Sequence, residues 1–94
     1  FAPAAPQNLG LLLLDAAIEL VWDAGPEPDI AGYTVLRADA PGDTLRPLTP
    51  SPIRESTFRD TTVRPGARYV YAVVAVDKAG NASPPSARVE GTAR

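Results

Sequence analysis

Turn-forming residues cut this chain into seven short apolar runs, and none of the runs carries the period of a helix. That punctuation constrains the fold more than any other feature. Eleven prolines and seven glycines are spread through 94 residues. Each proline fixes φ and removes a backbone donor, so no long helix fits between them and central strands must avoid them. The runs themselves alternate. In residues 17–22, Ile18, Leu20 and Trp22 share one face while Glu19 lies on the other, the period of a half-buried strand. Tyr33 and Val35 repeat the pattern within 30–37. Residues 69–76 are apolar on both faces, as a strand in the middle of a packed sheet is. A first strand is expected to begin near Gln7 and include Leu9, and shorter ones are expected over 44–48, over 56–60 around Phe58, and over 87–92 around Val89. Pro47 confines the 44–48 segment to a sheet edge. Turns fall at 23–29, 40–43, Arg64-Pro65-Gly66 and 77–81. The chain reads as all-β.

What is missing excludes most chemistry. There is no cysteine, hence no disulfide framework, no thiolate nucleophile and no cysteine-ligated metal. There is no histidine, which removes the commonest general base and the commonest transition-metal ligand. Nine basic against eleven acidic residues leave a net charge of −2, which argues against a nucleic-acid partner. No catalytic residue, cofactor or metal site is therefore assigned. The longest apolar stretch, residues 9–22, is interrupted by Gly10, Asp15 and Glu19 and falls short of the ~20 apolar residues a spanning helix needs. It also lacks a basic leader segment, so neither membrane insertion nor a signal peptide is expected here. With no methionine, the chain is expected to be a processed product or part of something longer.

Seven short strands in about 90 residues, joined by turns, are the pattern of a seven-stranded immunoglobulin-like β-sandwich. Over residues 6–92 the order of motifs resembles a fibronectin type III domain. The resemblance is carried by Pro6-Gln7-Asn8-Leu9, Ile18-x-Leu20-x-Trp22, Ile30-Ala31-Gly32-Tyr33-x-Val35, Phe58-Arg59-Asp60, the run from Val63 through Pro65, Gly66, Tyr69 and Tyr71 to Val76, and Gly80. The wording Pro26-Glu27-Pro28-Asp29-Ile30-Ala31-Gly32-Tyr33 is similar to modules of bacterial secreted and envelope proteins. The implied boundaries are a Pro/Ala-rich linker at 1–5 and the domain at 6–94.

The resemblance implies roles. Trp22, Tyr33, Phe58 and Tyr71 would interdigitate between the two sheets. Tyr69 would form the tyrosine corner, its hydroxyl bonding to backbone near Val63. Where an antibody domain has its second disulfide cysteine, this chain has Tyr71. Asp23, Glu27 and Asp29 in one loop and Asp77 in another fall at the same end of such a sandwich. They read as turn-closing or solvated carboxylates rather than a calcium site. The Arg-Gly-Asp tripeptide that some family members carry in the last hairpin is absent, so integrin-type adhesion does not carry over.

The unusual feature is Leu11-Leu12-Leu13-Leu14. Alternation sends one pair inward and the other outward. If Leu12 and Leu14 point out, either the N-terminal linker covers them or they contact a neighbouring domain or another protein. The function expected is a non-catalytic spacer or protein-interaction module of a larger extracellular, periplasmic or cell-envelope protein. The alternative is an accessory module of a secreted polysaccharide-degrading enzyme.

Overall fold

The computed structural model describes residues 2–39 and 42–94; Phe1, Ala40 and Pro41, and with them half of the turn expected at 40–43, lie outside the described residues. Among the described residues seven strands form two sheets: β1 (Gly10–Leu14), β2 (Ala17–Val21), β3 (Ile30–Ala38), β4 (Arg46–Pro47), β5 (Thr57–Asp60), β6 (Arg68–Asp77) and β7 (Val89–Thr92). One sheet has the order β1-β2-β5 and the other β4-β3-β6-β7, all pairs antiparallel. The described residues contain no helix.

The alternation read from the sequence sets the faces. Leu11 pairs with Leu20 and Leu13 with Ile18, and across β2 Leu20 pairs with Phe58. The opposing sheet turns Tyr33, Val35, Val73, Tyr71 and Tyr69 toward them, and Ile18, Leu20, Val35, Tyr71 and Val73 are fully enclosed. Each such aliphatic side chain contributes about 1.5–3 kcal/mol by leaving water. Trp22, one residue beyond β2, meets Tyr33 edge to face with ring centroids 5.6 Å apart, a geometry aromatic quadrupoles favour. Phe58 sits at the margin of this core: it packs against the buried cluster but is only half-buried, because β5 is a sheet edge.

Three strands differ from the sequence reading by more than one residue at a boundary, each for a local reason. The first strand starts at Gly10, not Gln7, because Asn8 adopts a positive φ of 59° and turns the chain before pairing begins. β4 is only two residues long and Pro47 lies within it, facing Leu36 at the edge. The last strand starts at Val89, not Ala87. Pro84 and Pro85 have no N–H to offer β6, and serines take over: the Ser83 hydroxyl accepts from Ala75 N–H and the Ser86 hydroxyl from Val73 N–H, at 2.8 and 2.9 Å.

Two close approaches hold the halves together. A Cβ at Gly32 would lie 2.7 Å from the Ile53 carbonyl oxygen, where Tyr33 and Ile53 exchange backbone hydrogen bonds of 2.7 and 2.8 Å. Gly91 on β7 leaves room for Leu11 and Leu13 to close the gap between the two sheets.

Candidate functional site

Strand polarity gathers the β2–β3 loop (22–29), the β6–β7 loop (78–88) and residues 2–8 at one end of the sandwich. Lys78 N–H donates to the Asp29 carbonyl at 2.9 Å and so joins the two loops. Each carboxylate at this end has a separate task. Asp77 accepts from the Ala79 and Asn81 backbone N–H groups and from the Asn81 side chain, closing its own turn. The Asn81 N–H contributes most to holding its carboxyl below the usual carboxylate range. Asp23 accepts from Asn8 Nδ2 at 2.6 Å, and Glu27 Oε2 accepts from Ala4 N–H at 2.9 Å. Asp29 takes part through its carbonyl rather than its side chain. Among the described residues no three carboxylates converge in a way that would hold a metal ion.

The second candidate is the outer face of the three-stranded sheet. Leu11 and Leu13 pack on the core, which sends Leu12 and Leu14 outward. They are not equivalent. Leu12 is 51% exposed, whereas Leu14 is half-buried, so of the expected contact pair only Leu12 stands open. Val21, 39% exposed and diagonal to Leu12 across the β1–β2 pair, extends the patch. The Glu19–Arg59 ion pair, 3.0 Å, lies beside it on the same face. Residues 2–8 do not cover Leu12, because they run along the loop end instead: Asp23 N–H donates to the Gln7 carbonyl at 3.0 Å.

A third constellation went unread in the sequence. Asp60, 1% exposed, projects inward from β5 and is met by three side chains. The Tyr71 hydroxyl donates to it at 2.7 Å, the Arg37 guanidinium at 2.9 Å and the Thr62 hydroxyl at 2.7 Å, while Thr62 N–H adds a backbone bond. Arg37 and Tyr71 face each other on β3 and β6, so this network ties one sheet to the other. The Arg37 guanidinium also lies 5.0 Å over the Tyr69 ring, within cation–π reach. Burial pushes the Asp60 carboxyl upward, but the hydrogen bonds from Thr62, Tyr71 and Arg37 outweigh it and leave the carboxyl below its ordinary value. Burial first, then the bond to Asp60, drives the Tyr71 hydroxyl far above the ordinary tyrosine range. Neither group is prepared for proton transfer near neutrality, and both are enclosed. It reads as an ionic cross-link. Beside it, the Tyr69 hydroxyl accepts from Arg64 N–H at 2.7 Å, the corner that the resemblance implied.

Comparison with solved structures decides the fold. A fibronectin type III-like protein of Clostridium thermocellum superimposes with a TM-score of 0.83 at 29% identity, over 96% of this chain and 92% of that one. The chain has the fibronectin type III fold. The domain superimposes equally, at 23% identity and a TM-score of 0.83, on part of the chicken contactin 1 FN1–FN3 segment, where it covers 33% of the longer chain. Domains of this fold thus occur as modules of multidomain chains. Among curated proteins the domain is 33% identical over 82 residues to an amylopullulanase of Thermoanaerobacterium thermosulfurigenes. The match takes in 87% of this chain but only 4% of that protein's length. No family model matches the chain. Among the described residues no helix is long and apolar enough to cross a membrane.

Proposed function

We propose that this fibronectin type III domain is a non-catalytic accessory module of a larger extracellular protein that degrades a polysaccharide such as amylose or pullulan. The observation that carries this reading is the amylopullulanase likeness, 33% identity confined to a small part of a much longer relative. The chemistry of the domain agrees with it. Without histidine or cysteine, and with Asp60 and Asp77 committed to structural hydrogen bonds, the domain offers no acid–base pair facing a cleft. Its aromatics Trp22, Tyr33, Tyr69 and Tyr71 are buried in the sandwich and present no stacking platform for a glycan. Its part is then mechanical, holding neighbouring domains at a set distance, with Leu12 as the point that a neighbour touches. The more general role, a spacer in a secreted or envelope protein without glycan chemistry, separates from this one by experiment.

Antibody raised against the domain tests the reading on the native protein. A band far above 9.9 kDa in the culture supernatant, coinciding with pullulan- or starch-clearing activity on a zymogram, is the expected result. A large band without clearing activity leaves the general spacer role. A band at the domain's own mass, or hydrolysis by the isolated domain, overturns the module reading.

A further inference from the structure

We infer that residues 2–8 are a fixed strap of this domain rather than a free joint, with Glu27 as the latch that holds it. The composition of this segment suggests an extended linker, yet the fold ties it down at successive points. Pro3 and Pro6 are buried against the body of the domain. Between them Ala4 N–H donates to Glu27 Oε2 at 2.9 Å. Next, the Gln7 carbonyl accepts from Asp23 N–H at 3.0 Å, and Asn8 Nδ2 reaches Asp23 Oδ2 at 2.6 Å. The strap then turns at Asn8, with φ 59°, into β1. It closes one side of a small cleft whose other walls are Asp23, Ala24, Gly25 and Pro26, with Tyr33 and Ala75 among its lining.

The physical case rests on how little entropy this ordering costs. Prolines at 3 and 6 restrict the unfolded segment, so fewer conformations are lost when it docks. The latch is prepared in the same way: Glu27 stands between Pro26 and Pro28, which fix the backbone on either side of it. Ala4 N–H, which in a free linker would bond to water, has a carboxylate acceptor instead, and charge-assisted bonds of this kind are the stronger class.

The opposite terminus is held as well. Ala93 is buried, its N–H donates to the Ala67 carbonyl and its carbonyl accepts from Gly66 N–H, both at 2.8 Å. Those partners lie at the β5–β6 end, away from the strap, on a body 40 Å long. Both points of attachment are therefore pinned, at opposite ends. The consequence rests on the module reading above: a domain joined upstream leaves this one in a fixed direction, and the module acts as a strut rather than a swivel.

Backbone ¹⁵N relaxation on the 94-residue chain tests the strap without any neighbour present. Order parameters at Ala4, Ala5 and Gln7 should match the strands, near ~0.85, where a free tail falls below about 0.6. Glu27→Ala should lower the values at Ala4 and Ala5 and leave β3 and β6 unchanged; Glu27→Gln, which keeps an acceptor oxygen, should restore them. Tail-like values in the unaltered chain overturn the inference, whatever the variants do. So does a folded Glu27→Ala chain whose strap is as ordered as before. Either failure leaves the supernatant result above untouched, so the strap and the module reading stand or fall separately.

Discussion

A carboxylate at 1% exposure is costly unless every oxygen is occupied, and Asp60 meets that condition with bonds from Tyr71, Arg37 and Thr62. Removing it leaves the buried Tyr71 hydroxyl without its acceptor and the half-buried Arg37 guanidinium with only Asp39 and the Thr62 hydroxyl. Asp60→Ala should therefore destabilise the domain by about 3 kcal/mol, the scale for breaking one side of a buried ion pair. Tyr71→Phe deletes only one donor to the carboxylate and should cost about 1.5–2 kcal/mol. Urea unfolding midpoints at neutral pH check both, and a cost for Asp60→Ala no larger than that of Tyr71→Phe would contradict the network. The signal for this cross-link was present in the alternation. Arg37 stands two residues after Val35, and Asp60 two after Phe58, so both inherit the inward face. Sequence reading passes over them because charge at a core position is ordinarily evidence against burial. Only the juxtaposition of β3, β5 and β6 supplies the partners that reverse that judgement. The aromatic positions needed no such juxtaposition: alternation turns Trp22 and Tyr33 inward, the resemblance implies the same of Tyr69 and Tyr71, and all four are buried.

At the scale of elements, β1 is the strand whose behaviour the sequence left open. Its partners decide it: Leu11 and Leu13 fit over Gly91 of β7, which forces Leu12 and Leu14 to the outer face. Which of the two outward leucines stays exposed is a matter of neighbours that alternation does not encode. β1 is a sheet edge with no charge or proline among its five residues, the condition under which an edge recruits partners. Leu12→Asp combined with Leu14→Asp should reduce weak self-association of the isolated domain in concentration-dependent light scattering after size exclusion. Unchanged association and solubility would remove Leu12 from the proposed contact surface. The β1–β2 hairpin carries a separate expectation. Its two-residue loop, Asp15 and Ala16, puts Ala16 at φ 62°, a left-handed conformation that costs an L-residue about 1 kcal/mol. Ala16→Gly should therefore raise thermal stability by up to ~1 kcal/mol, read as an increase in Tm; a lower Tm would show that chain entropy lost by glycine outweighs the strain relieved.

For the molecule as a whole, the absence of cysteine shifts the stabilising cross-link from a covalent bond to an ionic one, and this changes which conditions threaten the fold. A reductant has nothing to act on. Acid does. Asp60 and Asp77 both hold their carboxyls below the ordinary range in the folded chain, while in the unfolded chain an aspartate takes its proton near ~3.9. Between those two points the unfolded state binds more protons than the folded state, so lowering the pH favours unfolding. The contribution of these two groups is complete above the unfolded value. It is lost progressively as pH falls through the folded values, where protonation cancels the bonds from Arg37, Tyr71 and Thr62 at one site and from Asn81 and Ala79 at the other. Stability should hence be level from neutrality down to about pH 5 and decline steeply below about pH 4. Asp60→Asn separates the two sites. It should lower stability at neutral pH, because an uncharged amide faces Arg37, and flatten the acid decline, because one of the two titrating carboxylates is gone. Urea midpoints measured from pH 7 to pH 2.5 on both chains read the two effects together, and an acid slope that Asp60→Asn leaves unchanged would assign the whole decline to Asp77 and other carboxylates rather than to the cross-link between the sheets.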